Sequence, residues 1–149
     1  MKSNGKTKKA TAAGVTFEWQ IHGNVLQGRM TASTLGWVTV GFNRVRDLRG
    51  TRLVMGYVKD GRTVVEEHLA DPPNHRPMTA LGGRNAVRSS HGTESGRTTS
   101  IDFEIDLDSG DKFSVPLAEG QRYYVTFAWS HEDDLYHHSA NRTAIELVL

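Results

Sequence analysis

The sequence predicts an all-β fold, either a β-sandwich or a flattened barrel of eight or nine short strands. Residues 15–21 and 97–107 alternate apolar and polar side chains, a pattern typical of strands with one buried face. Asp60-Gly61 separates two further strand-like runs and is a strong hairpin signal. No segment shows a helical period over a window of about 11 residues.

The predicted strands follow one another along the chain with turn signals between them. After 15–21 they span 25–32, 35–42, 51–59, 62–69, 97–107, 121–130 and 143–149, with room for a short strand at 86–90. The run 35–42 is apolar enough to be a central strand that is covered on both faces. Prolines should prevent 71–77 from continuing a ladder. We expect residues 1–14 to form a disordered basic tail and residues 15–149 to form one β-sandwich domain.

Composition and charge exclude several classes of protein. With 18 basic and 17 acidic residues the net charge is +1, so the chain lacks the basic footprint of a nucleic-acid-binding protein. The absence of cysteine excludes disulfides, thiolate metal sites and covalently attached haem. No apolar run is long enough for a transmembrane segment. The basic N-terminus lacks the apolar part of a signal peptide, which leaves a cytoplasmic protein, or an exported one whose signal was removed, as alternatives.

Two adjacent histidines near the C-terminus, His137 and His138, are the first candidates for chemistry. They follow the acidic pair Asp133-Asp134 and precede the last predicted strand. Neutral imidazole is the commonest metal ligand in proteins, and it also ligates haem iron. Neighbouring side chains in an extended segment point to opposite faces, so we expect at most one of the two to face any given pocket. The alternative is that one histidine is solvated and the other bonds a loop carbonyl.

Several segments, taken in order, resemble the DOMON family, to which the cytochrome domain of cellobiose dehydrogenase is related. The matching segments are 36–42 (GWVTVGF), 50–61 (GTRLVMGYVKDG), 98–103 (TTSIDF), 108–111 (DSGD), 127–129 (FAW) and 138–142 (HSANR). The sequence of residues 133–143 resembles that of a bacterial branch of this family. The resemblance implies an immunoglobulin-like antiparallel β-sandwich of about eight to ten strands. It also implies a periplasmic or extracellular domain that binds b-type haem or a sugar.

In the haem-binding branch the resemblance implies haem b held without covalent bonds by one histidine and one methionine. His138 is the implied axial ligand to the haem iron, because Ser139 and Arg142 follow it as they do in the family pattern. His137 is its immediate neighbour and a weaker candidate. The implied function is electron transfer with a redox partner protein, or redox or haem sensing.

The second ligand is a departure from the family pattern. Leu48 stands where the family has its methionine, and leucine has no lone pair for iron. Met55 on a predicted strand and Met78 in a predicted loop remain as candidates, and five-coordinate or bis-histidine haem is also chemically feasible. We expect a hydrophobic slot between the two sheets to shield the porphyrin.

A non-enzymatic binding module for a carbohydrate or another small ligand is the alternative function. Trp129 and Tyr136 flank the acidic histidine segment and are candidates for a stacking surface, with Asp133 and Asp134 as polar partners or as divalent-metal ligands. A protein-docking domain without a small ligand is a third interpretation.

The sequence does not predict an enzyme. Residues 130–133 (SHED) contain a nucleophile, a base and an acid, but catalytic partners normally come from separate segments. Residues 66–68 (EEH) alternate between faces of a strand and are predicted to lie on the outer surface. The arginines within 44–52 form either a solvated loop or a patch for anionic groups such as haem propionates.

Overall fold

The strands of the protein form two antiparallel sheets that pack face to face. A computed structural model describes residues 7–149, and these contain eleven strands and one short 3₁₀ helix. In chain order the strands are β1 (Lys8–Ala12), β2 (Val15–His22), β3 (Val25–Ala32), β4 (Val38–Asn43), β5 (Arg52–Lys59), β6 (Arg62–Asp71), β7 (Asn74–Pro77), β8 (Val87–Ser95), β9 (Thr98–Asp106), β10 (Arg122–Trp129) and β11 (Asn141–Val148). One sheet has the order β1-β2-β3-β9-β8 and the other β11-β10-β4-β5-β6-β7. The predicted all-β antiparallel sandwich is confirmed.

The N-terminal segment corrects the prediction of a disordered tail. Residues 1–6 lie outside the described residues, but β1 pairs with β2 along its whole length. Ala13 and Gly14 join the two strands with positive φ angles of 51° and 81°, which is the backbone of a tight hairpin turn. Ala10 and Ala12 pack against the core. Main-chain pairing and two small apolar contacts thus order a segment whose composition is polar.

The proline-rich stretch after β6 also differs from the prediction. β6 runs on to Asp71, and β7 returns beside it at the edge of the six-stranded sheet. Pro77 fits there because a residue on an edge strand can leave its outward side without a donor. The resulting β6–β7 hairpin brings the side chains of residues 72–75 beside the outer face of the sheet.

The core between the sheets is built from their inward faces. Strand β2 contributes the predicted alternating side chains, all of which are buried: Val15, Phe17, Trp19 and Ile21. Phe17 stacks on Trp19 at 4.8 Å between ring centroids and meets Phe42 of β4 edge-on at 6.0 Å. Each such large side chain stabilises the fold by about 1.5–3 kcal/mol through burial. Packed side chains therefore fill the space between the sheets.

Strand β4 is buried on both faces, as the apolar run 35–42 predicted, and most of β5 is buried on both faces as well. A second apolar cluster covers their outer face: Trp37, Leu53, Met55, Ala70, Ala128 and Leu135. Leu135 belongs to residues 130–140, which connect β10 to β11 and are called the 130–140 connection below. This connection folds back over the outer face of the six-stranded sheet.

A buried ion pair joins the neighbouring strands β5 and β6, and the burial of Glu67 and His68 corrects the prediction that residues 66–68 lie on the surface. The Arg52 Nε donates to Glu67 Oε2 at 2.7 Å, and both side chains are fully buried. The guanidinium also donates to three backbone carbonyls, those of Asp106, Leu107 and Val115. Burial raises the pKa of Glu67, and the nearby Arg52 opposes that rise. These bonds from Arg52 fix β5 to the end of β9 and to the chain that follows it.

Candidate functional site

A pocket of about 630 Å³ lies between the outer face of the six-stranded sheet and the 130–140 connection. Its buried wall is mostly apolar: it comprises Trp37, Leu53, Met55, Ala70 and Ala128, together with the buried threonines Thr39 and Thr126. Its rim includes Asn74, His75, Tyr136, His137, His138, Ser139 and Arg142. A mostly apolar concavity of this size with a few polar groups is typical of small-molecule and cofactor sites. The pocket lies outside the sandwich, which corrects the expected slot between the sheets.

Backbone hydrogen bonds hold the start of the 130–140 connection against β4. The Trp37 N–H donates to the Glu132 carbonyl, and the Ser130 N–H donates to the Trp37 carbonyl. Gly36 permits this approach, because a Cβ at that position would lie 2.3 Å from the Ser130 carbonyl oxygen. The Gly-Trp pair at the start of the apolar run therefore seats the loop that closes the pocket.

The predicted histidine pair lies at the mouth of the pocket. Both His137 and His138 line it, and both are exposed. Asp134 organises the preceding turn by accepting the Tyr136 N–H at its carboxylate and the His137 N–H at its carbonyl. Because the segment is a turn and not an extended strand, the alternation expected for a strand does not apply to it. Trp37 Nε1 donates to the His137 carbonyl at 3.2 Å and so fixes the backbone between the two histidines.

The imidazole rings of this pair are chemically available. Within residues 7–149, neither the His137 nor the His138 ring has a hydrogen-bond partner. A neutral imidazole nitrogen without a hydrogen presents a lone pair that can bind a metal. The structure therefore places two imidazoles, without hydrogen-bond partners among the described residues, at the edge of a mostly apolar pocket.

The two methionine candidates lie in different places. Met55 is 2% exposed and forms part of the pocket wall, in the same pocket as Leu48. Met78 begins the 3₁₀ helix Met78–Leu81, is fully buried, and is not among the residues that line the pocket. The structure thus brings Met55 together with the histidine pair and leaves Met78 elsewhere.

The two aromatic candidates do not share a surface. Trp129 packs against the inter-sheet core, donates from Nε1 to the Ala13 carbonyl at 2.9 Å, and meets His131 edge-on at 4.9 Å. Tyr136 lines the pocket and is 60% exposed. Because β10 alternates between faces, its last residue points to the inward side of the sheet. This geometry corrects the expected stacking pair.

The acidic pair makes no metal site in the part of the chain that is described. Among residues 7–149, no group of three or more His, Cys, Asp or Glu side chains is arranged to hold a metal ion. Asp134 serves the turn at the histidine pair. Asp133 has one buried carboxylate oxygen without a partner, and burial raises the pKa of this carboxyl.

A hydrogen-bonded chain of side chains borders the pocket, and the sequence analysis missed it. His68 Nε2 lies 2.9 Å from Glu66 Oε1, and His68 Nδ1 lies 2.8 Å from His75 Nδ1. The His75 ring lines the pocket and stacks in parallel on Tyr136 with 5.1 Å between centroids. His68 is fully buried. Burial lowers the pKa of both imidazoles, and for His75 the neighbouring His68 lowers the pKa further.

The hydrogen-bonded series of side chains could have been predicted from the alternation of β6 together with the β6–β7 hairpin. Glu66 and His68 share the outer face of β6, while Glu67 faces inward to the ion pair described above. The hairpin sets Ala70 opposite His75. His75 is then a diagonal neighbour of His68, within reach of a long side chain. Treating the proline-rich stretch as a loop concealed this proximity.

One arginine, Arg142, lines the pocket where it adjoins a smaller cavity of about 170 Å³. Arg46 lines the smaller cavity, and its guanidinium lies 5.0 Å from the centroid of the Tyr124 ring. Arg52, from the same predicted cluster, is instead buried in its ion pair. Planar guanidinium groups in this position suit the carboxylates of a bound molecule.

Together these features define an all-β sandwich with a mostly apolar pocket, two imidazoles at its mouth, a thioether in its wall and the guanidinium group of Arg142 at its rim. Imidazole nitrogen and thioether sulfur are the ligand types that hold haem iron in b-type and related cytochromes. Guanidinium groups match the carboxylate substituents of a porphyrin. The donor set of the pocket therefore fits b-type haem.

Comparison with known families agrees with this class. The sequence profile of the DOMON domain matches residues 12–130. The chain therefore belongs to the DOMON family. The matched residues include Leu48 and Met55 and end before His137. No curated protein matches the sequence.

Two solved structures share the fold. The cytochrome domain of Myriococcum thermophilum cellobiose dehydrogenase is similar with a TM-score of 0.69 and 12% identity, covering 96% of this chain and 81% of that one. The cytochrome b domain of pyranose dehydrogenase from Coprinopsis cinerea is similar with a TM-score of 0.60 and 12% identity, covering 90% and 77%. At this identity the likeness shows the fold alone. No helix in the described part of the chain is long and apolar enough to cross a membrane.

Proposed function

We propose that this protein binds b-type haem in the pocket on the outer face of the six-stranded sheet and acts in electron transfer or in redox or haem sensing. The observation that carries the proposal is the meeting of two imidazoles, a buried thioether and a mostly apolar wall in one pocket. Membership of the DOMON family and the likeness in fold to two cytochrome domains support it.

In this proposal His138 is the axial ligand of the haem iron, with His137 as the neighbouring alternative. Met55 is the candidate for the second ligand, because it is the methionine that lines the same pocket. Leu48 also lines the pocket but has no lone pair, so its contribution is apolar contact. Haem bound in this way would supply an iron centre that gains and loses one electron.

The remaining side chains bind and enclose the cofactor. Trp37, Leu53 and Ala128 provide apolar surface and exclude water from the porphyrin faces. Arg142 at the rim would pair with the propionate groups, as a guanidinium does with carboxylates generally. A low-dielectric wall favours the less charged state of a bound metal centre, so these side chains also set the redox potential.

The test is haem uptake by haem-free protein, followed by its absorption spectrum in oxidised and reduced forms. Wild-type protein should develop a Soret band at one equivalent of haemin, and His138→Ala should lose the axial-ligand spectrum. His131→Ala is the matched control, because His131 is an exposed histidine of the same connection that packs on Trp129 outside the pocket. If neither His138→Ala nor His137→Ala changes the spectrum, the ligand assignment is wrong.

The proposal extends to the setting of the protein. Electron transfer requires a redox partner protein, and we propose that the exposed rim around Tyr136 and His138 faces it. The domain itself would then be a non-enzymatic carrier or sensor in the periplasm or outside the cell. The carbohydrate alternative loses its main support, because Trp129 and Tyr136 lie on different sides of the sheet.

A further inference from the structure

The side chains of Glu66, His68 and His75 form one hydrogen-bonded chain that ends beneath the 130–140 connection. Glu66 is partly exposed, with a side-chain exposure of 43%, whereas His68 is completely buried. At the far end, the planes of the His75 and Tyr136 rings are parallel, at 0°. The His68 ring also lies 5.9 Å from Tyr136. The chain therefore runs from solvent through the protein to the tyrosine that precedes the histidine pair.

The positions of the hydrogens in this chain follow from its geometry. The Glu66 carboxylate accepts hydrogen bonds, so His68 must carry a hydrogen on Nε2. A neutral His68 then has a lone pair on Nδ1. Two facing lone pairs would repel at 2.8 Å, so His75 must carry the hydrogen on its own Nδ1. His75 therefore donates to His68, His68 donates to Glu66, and the orientation of the His75 ring is fixed.

The ring that is fixed in this way sits against the turn that carries the candidate ligands. Tyr136 immediately precedes His137 and is 60% exposed, so protein atoms cover part of its surface. The hydrogen bond from Trp37 Nε1 and the turn at Asp134 restrain the backbone near His137. His75 contacts the turn in two further places, because its ring stacks on Tyr136 and it is hydrogen-bonded to the backbone of Leu135.

We propose that His75 is a positioning residue for the His137–His138 pair: oriented by His68 and Glu66, its ring holds Tyr136 and with it the turn that presents both imidazoles to the pocket. That these imidazoles ligate haem rests on the proposed function above. The positioning itself is a property of the haem-free chain and can be measured there.

Acid should release this arrangement. If both imidazoles are charged, each Nδ1 carries a hydrogen, and the 2.8 Å contact becomes two opposed N–H groups. The Glu66 carboxylate on His68, and Asp134 with the Leu135 carbonyl on His75, favour protonation, but burial prevails and lowers the pKa of both rings. The unfolded chain therefore takes up protons first as pH falls through about 6.5, and the stabilisation is present above that pH and lost below it.

Hydrogen exchange of the haem-free full chain tests the proposal. His75→Ala should speed exchange of the amides of residues 134–139 by about tenfold, the effect of losing one hydrogen bond and one ring contact. His131→Ala should leave these amides unchanged. The amides of β4 and β10 report global stability and should keep their protection. Unchanged exchange at 134–139 in His75→Ala would overturn the proposal.

A second variant separates orientation from bulk and serves if His75→Ala does not fold. His75→Phe keeps a flat ring against Tyr136 but can bond neither His68 nor the Leu135 backbone. Wild-type exchange at 134–139, corrected for intrinsic rates, should rise between pH 7 and pH 5, whereas His75→Phe should be flat over that range. A purely structural ring would give both proteins the same pH profile, and that result would refute positioning through His68.

Haemin release distinguishes this proposal from the proposed function. Transfer of haemin from His75→Ala to an excess of a tighter-binding acceptor should be about tenfold faster than from wild type, with His131→Ala unchanged. Failure of wild-type protein to take up haemin would refute the proposed function while the exchange result still decides the role of His75. Haemin uptake with equal release and equal exchange in His75→Ala would refute the positioning role alone.

Discussion

Replacing the buried arginine of β5 tests how the pocket wall is held in place. The Arg52 guanidinium is fully buried and donates to Glu67 and to three backbone carbonyls. Arg52→Met keeps an apolar stem of similar length but leaves the Glu67 carboxylate buried without its cation. Breaking a buried pair in this way costs about 3–5 kcal/mol of unfolding free energy. Because β5 also carries Leu53 and Met55, the loss should loosen the wall of the pocket.

The assay is urea unfolding followed by tryptophan fluorescence, with an exposed pair as the control. Arg29→Met removes the ion pair with Asp102, whose side chains are about half exposed, and should cost only about 0–1 kcal/mol. If Arg52→Met loses no more stability than Arg29→Met, the argument from burial is refuted. Equal losses would mean that solvent reaches the Arg52–Glu67 pair.

The pH dependence of the same variant has a defined sign. Burial raises the pKa of Glu67, and Arg52 opposes that rise in the wild type. Without Arg52 the pKa of Glu67 should rise further, so the folded variant takes up a proton at a higher pH than the unfolded chain does. Its stability relative to wild type should therefore recover as pH falls from 7 toward the ordinary glutamate pKa of about 4.3. A difference in unfolding free energy from wild type that stays constant across that pH range would contradict the inference that Arg52 lowers the pKa of Glu67.

Three further predictions concern the site itself. Gly36→Ala places a Cβ 2.3 Å from the Ser130 carbonyl oxygen and should lower the unfolding free energy by about 1–3 kcal/mol in urea titrations. Gly61→Ala is the control for backbone strain alone, because Gly61 has a φ of 75° and no atom within 4 Å of an added Cβ. Met55→Leu conserves volume and should cost less than about 1.5 kcal/mol, yet it should change the reduced haem spectrum; an unaltered spectrum would exclude Met55 as a ligand. Trp37→Phe loses the hydrogen bond to the His137 carbonyl and should lower the free energy of unfolding in urea by about 1 kcal/mol. A decrease smaller than the error of the titration would show that this bond is not maintained in solution.

Local pattern was sufficient to predict the central strands of this fold. The alternation of Val15, Phe17, Trp19 and Ile21 reappears as one buried face of β2, because a period of two is a direct consequence of strand geometry. The apolar run 35–42 predicted a strand covered on both sides for the same reason. The strand β1 was not predictable in this way, because its stability comes from main-chain pairing with β2 rather than from its own composition.

The candidate site was predictable only in part. The metal-binding chemistry of imidazole pointed to His137 and His138 as candidates, and the structure places both at the pocket. The contribution of His75 could not be seen in composition, because it depends on a hairpin that sets it diagonally across from His68. Trp129 and Tyr136 were grouped by closeness in sequence, but strand alternation sends Trp129 to the inner face. Closeness along the chain predicts a shared site only where the backbone does not alternate.

The position of the pocket follows from the burial of β4 and β5 on both faces. A sheet in a two-layer sandwich normally needs one apolar face, and its other face meets water. Here the outer face carries Trp37, Leu53 and Met55, which no second sheet covers, so the 130–140 connection must cover them. A loop covers a flat apolar surface less completely than a sheet does, and the space left between them is the pocket. The same apolar residues that demand a cover thus create the cavity and bring the histidine-bearing turn to its edge.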